Sequence, residues 1–181
     1  HKTVRYLITT NGDKGWGKDT AMTSETLGPI REQEQLNAAS LLGVENVTFL
    51  RQPDGRLDGV SMIDLKLNIT KVIRTFKPDL VLTFSPETDY LTYQFGLMHE
   101  DHKLTGRVTM NALWPSARDY LNYYDELYMQ GILPWICSEV WLFTFSSPGS
   151  GNNQGNYVAV DITPQYGNKL KALLQHESQY S

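Results

Sequence analysis

Strands and helices alternate along this sequence, and the alternation predicts an α/β fold, a mainly parallel sheet with helices on both faces. Three observations carry that expectation. Short runs rich in β-branched and aromatic residues recur at 4–10, 47–50, 80–84 and 139–145. Stretches with apolar residues at helical spacing separate the first three of them. Asn, Asp, Gly and Pro mark the junctions. With 181 residues, 40% hydrophobic and 20% charged, the chain is long enough for a sizeable core, and residues 1–181 read as one domain.

Each element has its own reason. Residues 4–10 form a strand that ends at the turn chemistry of Asn11-Gly12-Asp13, and a loop continues to about Ser24. Residues 29–42 are good helix formers with apolar or small positions at Ile30, Leu36, Ala39 and Leu42, and Gly43 comes next, where a helix caps. Residues 47–50 are the second strand. Residues 63–76 are a helix whose apolar stripe is Ile63, Leu67, Val72, Ile73 and Phe76, closed by Pro78. The run Leu80-Val81-Leu82-Thr83-Phe84 suits a buried parallel strand and opens onto a long loop, 85–102. Residues 102–112 read as helix, 114–131 as aromatic and irregular, 139–145 and 157–161 as strands, and 163–175 as the last helix.

Composition narrows the partners. A net charge of −4 with scattered Lys and Arg argues against nucleic-acid binding, which needs clustered cations to neutralise phosphates. The single cysteine, Cys137, lies beside the apolar run 132–136 and reads as a small buried hydrophobe rather than a nucleophile. No apolar run reaches the roughly 18 residues of a membrane span, so no transmembrane segment is expected in this chain, and its first residues lack the apolar core of a signal peptide. Two N-glycosylation sequons, Asn46-Val47-Thr48 and Asn68-Ile69-Thr70, lean faintly towards the secretory pathway.

The most informative segment is His99-Glu100-Asp101-His102, two imidazoles and two carboxylates in four residues on the exit side of a strand. In parallel α/β sheets, ligands bind at the carboxyl ends of strands. The loops after three successive strands contribute Asn11-Gly12-Asp13, Pro53-Asp54-Gly55 and this segment, which are expected at one rim. The competing reading is a polar loop leading into a helix.

Taken in order, several segments resemble the N-acetylglucosaminyl-phosphatidylinositol de-N-acetylase family, also called LmbE-like proteins, which are zinc-dependent deacetylases of amino sugars. These are the loop after Tyr6–Thr10, Arg31-Glu32-Gln33-Glu34 for R-x-x-E, and 38–43 for A-x-x-L-G. They continue with 49–57 for F-L-x-x-P-D-G-x-L, 78–84 for the P-D-x-V-x-T strand, 99–102 for H-x-D-H, and, near the end, Val160-Asp161-Ile162 and His176-Glu177-Ser178-Gln179. The resemblance implies a Rossmann-like fold and a zinc-dependent hydrolase that removes acetyl from an N-acetyl-amino-sugar glycan or conjugate, with another divalent transition metal able to replace zinc. The alternatives are a related metal-dependent amidase or a non-catalytic sugar-binding relative. The family's first motif, His-Pro-Asp-Asp, is not in this sequence; it supplies two zinc ligands and the general base, so the domain is expected to be N-terminally truncated here by one strand and one helix.

By the same resemblance His102 is a zinc ligand, completing a set that leaves one position open for water. His99 is a protonated donor to the oxyanion, and Asp101 pairs with His99, or else serves as a helix N-cap. Arg31 contacts substrate hydroxyls or phosphate, or is a solvated helix charge paired with Glu34. Asp58 binds sugar hydroxyls, or is a turn residue. His176 either approaches the site from the last helix or ends that helix. The aromatics Tyr90, Tyr93 and Phe95, and those between Trp114 and Trp135, stack on a sugar, wall the pocket or pack internally.

Overall fold

A computed structural model describes residues 2–15, 21–86, 99–143 and 158–180. The chain divides into two compact units, residues 1–55 with 158–181, and residues 56–157. The strands in both are parallel and alternate with helices, which is the predicted α/β class. Among the described residues they form two separate two-stranded sheets.

In the first unit β1 (Arg5–Thr10) pairs with β2 (Asn46–Gln52), and α1 (Ser24–Leu41) connects them. The helix starts five residues earlier than the 29–42 expected. Thr23 and Thr26 form a reciprocal cap, each side chain accepting the other's backbone N–H, and this outweighs the proline at position 29 that suggested a start. Its buried face is Leu27, Gly28, Glu34, Ala38 and Ala39. Ile30, Leu36 and Leu42, expected on the apolar side, are each at least 40% exposed. A Cβ on Gly28 would lie 2.6 Å from Asn11 Nδ2, so the helix packs closely on the side chains of the loop after β1.

The β1–β2 register slips between Ile8 and Thr10, with Arg51 at φ 49° on the longer strand. An extra residue of this kind bends a strand and re-aims the residues beyond it. Here the next turn brings the Asp54 carboxylate onto Thr10 Oγ1 and Lys14 N–H, both at 3.1 Å. Arg51 itself makes a two-pronged contact with Glu32 of α1 at 2.8 and 2.9 Å.

Of the strand expected over 157–161, residue 157 lies outside the described residues, and 158–161 are not strand. Val158 and Val160 are 66% and 62% exposed, and β-branched side chains stabilise a strand only when a neighbour offers a ladder and a surface to pack on. Asp161 instead accepts the Thr163 N–H and opens a 3-10 turn, Thr163–Gln165, which runs into α4 (Tyr166–Leu173). Its carboxyl is held below the usual range by the Thr163 hydrogen bonds.

The second unit packs α2 (Met62–Phe76) against α3 (Glu100–Asn111), with β3 (Leu80–Phe84) paired to β4 (Glu139–Phe143). Ser61 caps α2 by accepting the Asp64 N–H, and Lys77 ends it in the left-handed conformation before Pro78. The stripe that is buried is Leu65, Ile69, Thr70, Ile73 and Arg74, whereas Ile63, read as apolar face, is 69% exposed.

Arg74 is the unexpected core residue, 1% exposed. Its Nη2 donates to the carbonyls of Ser116, Asp119 and Asn122 at 2.7–3.0 Å, and Nη1 to that of Ile132 at 3.4 Å. The aromatic, irregular stretch after α3 is held by turn-type backbone bonds rather than a regular ladder, and the guanidinium supplies further donors to its carbonyls. Desolvation pulls the Arg74 pKa down. Cys137 is partly exposed rather than buried; its Sγ–H faces the carbonyls of Glu139 and Asp79 at 3.1 and 3.3 Å, and desolvation pushes the thiol up.

Candidate active site

The His99 to His102 segment makes the first turn of α3. His99 is the N-cap: its Nδ1 accepts the Asp101 N–H at 3.2 Å. A ring nitrogen that accepts carries no proton, so in this state the imidazole has its hydrogen on Nε2, on a side chain 58% exposed. The N-cap role considered for Asp101 belongs to His99. The pairing expected between the two runs mainly through the Asp101 backbone, with the carboxylate oxygen Oδ2 at 4.0 Å from Nδ1.

The Asp101 carboxylate has a different partner. It is 6% exposed, and its Oδ1 accepts the N–H of Leu57 at 3.1 Å. Leu57 is fully buried and begins a 3-10 turn, Leu57–Gly59, whose middle residue is the exposed Asp58. Asp101 thereby fixes the turn that presents Asp58. A carboxylate also suits the positive end of a helix.

His102 lies three residues after His99, its ring stacked flat on Phe84 with centroids 4.2 Å apart and planes 4° apart; the His99 ring centroid is 6.2 Å away. The stack requires α3 to touch the end of β3. Gly106 allows this: a Cβ there would sit 2.2 Å from the Phe84 carbonyl oxygen. The motif is therefore at the exit of β3, where ligands of parallel sheets bind.

Among the described residues no three of His, Cys, Asp and Glu are grouped to hold a metal ion. Within the motif, His99 Nδ1 and the Asp101 carboxylate accept backbone hydrogens. His102 supplies one imidazole, which fits a corner of a tetrahedral metal site and does not make one.

The first unit holds Arg31. Its Nη1 donates to the carbonyls of Gly12 at 2.7 Å and Gly15 at 3.2 Å in the loop after β1. Arg31 is not paired with Glu34, whose buried carboxylate accepts the Ser178 N–H and hydroxyl instead. His176 lies after α4 and precedes a 3-10 turn, Glu177–Gln179, rather than sitting in a helix. Tyr90, Tyr93 and Phe95 lie outside the described residues. Trp135 donates its indole N–H to Pro78 O at 2.8 Å, and Trp114, 58% exposed, carries the Arg118 guanidinium at 4.7 Å.

In the sequence Asp54 stands in a strand-exit loop expected at the rim, Glu34 is read only as a possible partner of Arg31, and Ser178 only as part of the family-like segment 176–179. For Asp54 a signal exists, a carboxylate directly after a strand; for the Glu34–Ser178 contact, across 144 residues, there is none.

Two curated relatives match over 112 residues, 61% of this chain: a probable N-acetyl-alpha-D-glucosaminyl L-malate deacetylase 2 of Bacillus anthracis, 29% identical, and its counterpart in Bacillus cereus, 27% identical. The matches span 46% and 47% of those proteins, so this chain corresponds to about half of their length. The structure is similar to that of N,N'-diacetylchitobiose deacetylase from Pyrococcus horikoshii, with a TM-score of 0.81 and 26% identity over 99% of this chain and 60% of that one. The same fold occurs in the 4-carboxy-2-hydroxymuconate hydratase GalB from Pseudomonas putida, with a TM-score of 0.77 at 20% identity, covering 98% of this chain and 68% of that one. The model of the GlcNAc-PI de-N-acetylase (PIG-L) family matches residues 1–113, a stretch that contains Arg31, Asp58 and the whole of the His99 to His102 turn. That match extends over more than half of the chain, and the chain belongs to this family.

Proposed function

We propose that the chain is part of a zinc-dependent hydrolase that removes the acetyl group from an N-acetylated amino sugar in a glycan or conjugate. The observation that carries the reading is the α3 first turn inside the family-matched stretch: His102 stacked at the end of β3, and Asp101 anchoring the turn of Asp58. The relatives' descriptions as deacetylases of glucosaminyl malate and diacetylchitobiose support an amino-sugar substrate.

In this reading His102 is the zinc ligand from this chain. Zinc, when bound, supplies hydroxide near neutral pH and polarises the amide carbonyl. The family's His-Pro-Asp-Asp ligands and base are not among these 181 residues. His99 offers Nε2–H to the carbonyl oxygen as negative charge develops on it, its ring orientation set by the Asp101 N–H. A removed donor of this kind costs about 100-fold to 1,000-fold in kcat. Arg31 and Asp58 take the sugar hydroxyls or an anionic substituent, Arg31 through guanidinium hydrogens and Asp58 as an acceptor.

The test is metal content of the full-length protein and of its His102→Ala variant, with acetate release from an N-acetylglucosamine conjugate. Stoichiometric zinc and acetate release that both fall in the variant support the reading. A wild-type protein that takes up no metal when zinc is supplied, yet binds the conjugate, would make it a sugar-binding relative.

A further inference from the structure

Glu34 and the last residues of the chain form a hydrogen-bonded line that ends on the loop held by Arg31. Ser178 donates its N–H to Glu34 Oε1 at 2.7 Å and its hydroxyl to Oε2 at 2.8 Å. Gln179 Nε2 donates to Ser178 Oγ at 3.1 Å and to the Gly15 carbonyl at 3.3 Å. Arg31, three residues before Glu34 on the same helix, donates Nη1 to that same Gly15 carbonyl and to Gly12 O. The donors balance: the two amide hydrogens of Gln179 and the two on Arg31 Nη1 are each used once, and the Ser178 hydroxyl accepts from Gln179 while donating to Glu34. The Glu34 carboxylate is 7% exposed, so both of its oxygens need these partners. Among the described residues Arg31 Nε and Nη2 make no hydrogen bond.

We propose that Glu34, Ser178 and Gln179 are positioning residues that lock Arg31 and the Gly12 to Gly15 loop in one arrangement, holding the unused edge of the Arg31 guanidinium ready for substrate. The substrate half of the proposal rests on the role given to Arg31 above. Charged networks that are fully satisfied rigidify what they join, and a preorganised cation binds without first being ordered.

The experiment uses the full-length protein with Ser178→Ala, Gln179→Ala and the rescue variant Ser178→Thr. Two quantities are read: steady-state kinetics of acetate release from an N-acetylglucosamine conjugate, and amide exchange at Gly15, whose N–H donates to Gly12 O at 3.2 Å. Expected are a roughly tenfold rise in KM with kcat within about twofold for the two alanine variants, restoration by Ser178→Thr, and faster exchange at Gly15. Unchanged exchange overturns the lock. Faster exchange with unchanged KM, or a fall in kcat alone, overturns the substrate role and leaves a structural contact. If wild type releases no acetate, the proposed function fails, and the exchange arm still decides whether the lock exists.

Discussion

Replacing Gly106 with alanine reverses the usual sign of a substitution. In an exposed helix interior, glycine to alanine stabilises by about 1 kcal/mol. At position 106 the new methyl would sit 2.2 Å from the Phe84 carbonyl oxygen, 2.9 Å from its carbon and 3.3 Å from Pro86 N, all backbone atoms that have no rotamer to change. To reach ordinary contact α3 must withdraw from the end of β3 by about 1 Å or more. Overpacking of this order costs about 1–3 kcal/mol, and withdrawal also opens the 4.2 Å Phe84–His102 stack. The net expectation is a loss of roughly 1–2 kcal/mol after the helical gain is subtracted. Urea unfolding of the full-length protein, monitored by far-UV circular dichroism, reads the midpoint, and zinc titration of the same variant reads the displacement of His102. A Gly106→Ala protein as stable as wild type or more so, with unchanged zinc affinity, would refute the reasoning that backbone contact at this residue places the histidine.

Asp101→Ala leaves the buried Leu57 N–H without its carboxylate and is expected to lose about 1–3 kcal/mol by chemical denaturation, whereas Asp101→Asn retains an acceptor and keeps most of that stability. Equal losses in the two variants would show that charge, not the hydrogen bond to Leu57, is what matters. Arg74→Ala strips four carbonyls of their donor and should destabilise by roughly 3 kcal/mol or more; Arg74→Lys should recover only a part, because an ammonium cannot span the same fork, and full recovery in a thermal melt would contradict this. Desolvation raises the Cys137 pKa, so its thiolate forms only above the ordinary thiol range. Iodoacetamide labelling of Cys137 should therefore be slower at pH 8 than that of a free thiol, rising at higher pH. Because the folded state resists ionisation, the associated stability is complete below the unfolded thiol's pKa and is lost as pH rises through the folded value.

The elements legible in the sequence are those with local causes. The helix expected over residues 63–76 lies within one residue of α2, since Ser61 and Pro78 bound it chemically, and the strand 80–84 coincides with β3. The start of α1 is not legible, because a threonine pair is a weaker written signal than a proline, although its two hydrogen bonds decide the geometry. The stretch 158–161 shows the opposite failure: its alternation is strand-like, but a strand needs a neighbour, and no residue in the stretch says where one is.

At the site, the residue types and the placing of His99, Asp101 and His102 within one helical turn were written in the chain, because positions no more than three apart in a helix fall within a single turn. It also carried the order of segments that marks the family. What each side chain does there is set by tertiary packing. Asp101 holds Leu57 rather than the His99 ring, Arg31 holds the loop after β1 rather than Glu34, and Glu34 holds Ser178. These partners are 44, 19 and 144 residues apart, and which groups meet over such distances depends on how helices pack on strands, where a missing side chain as at Gly106 admits contact that no local pattern encodes.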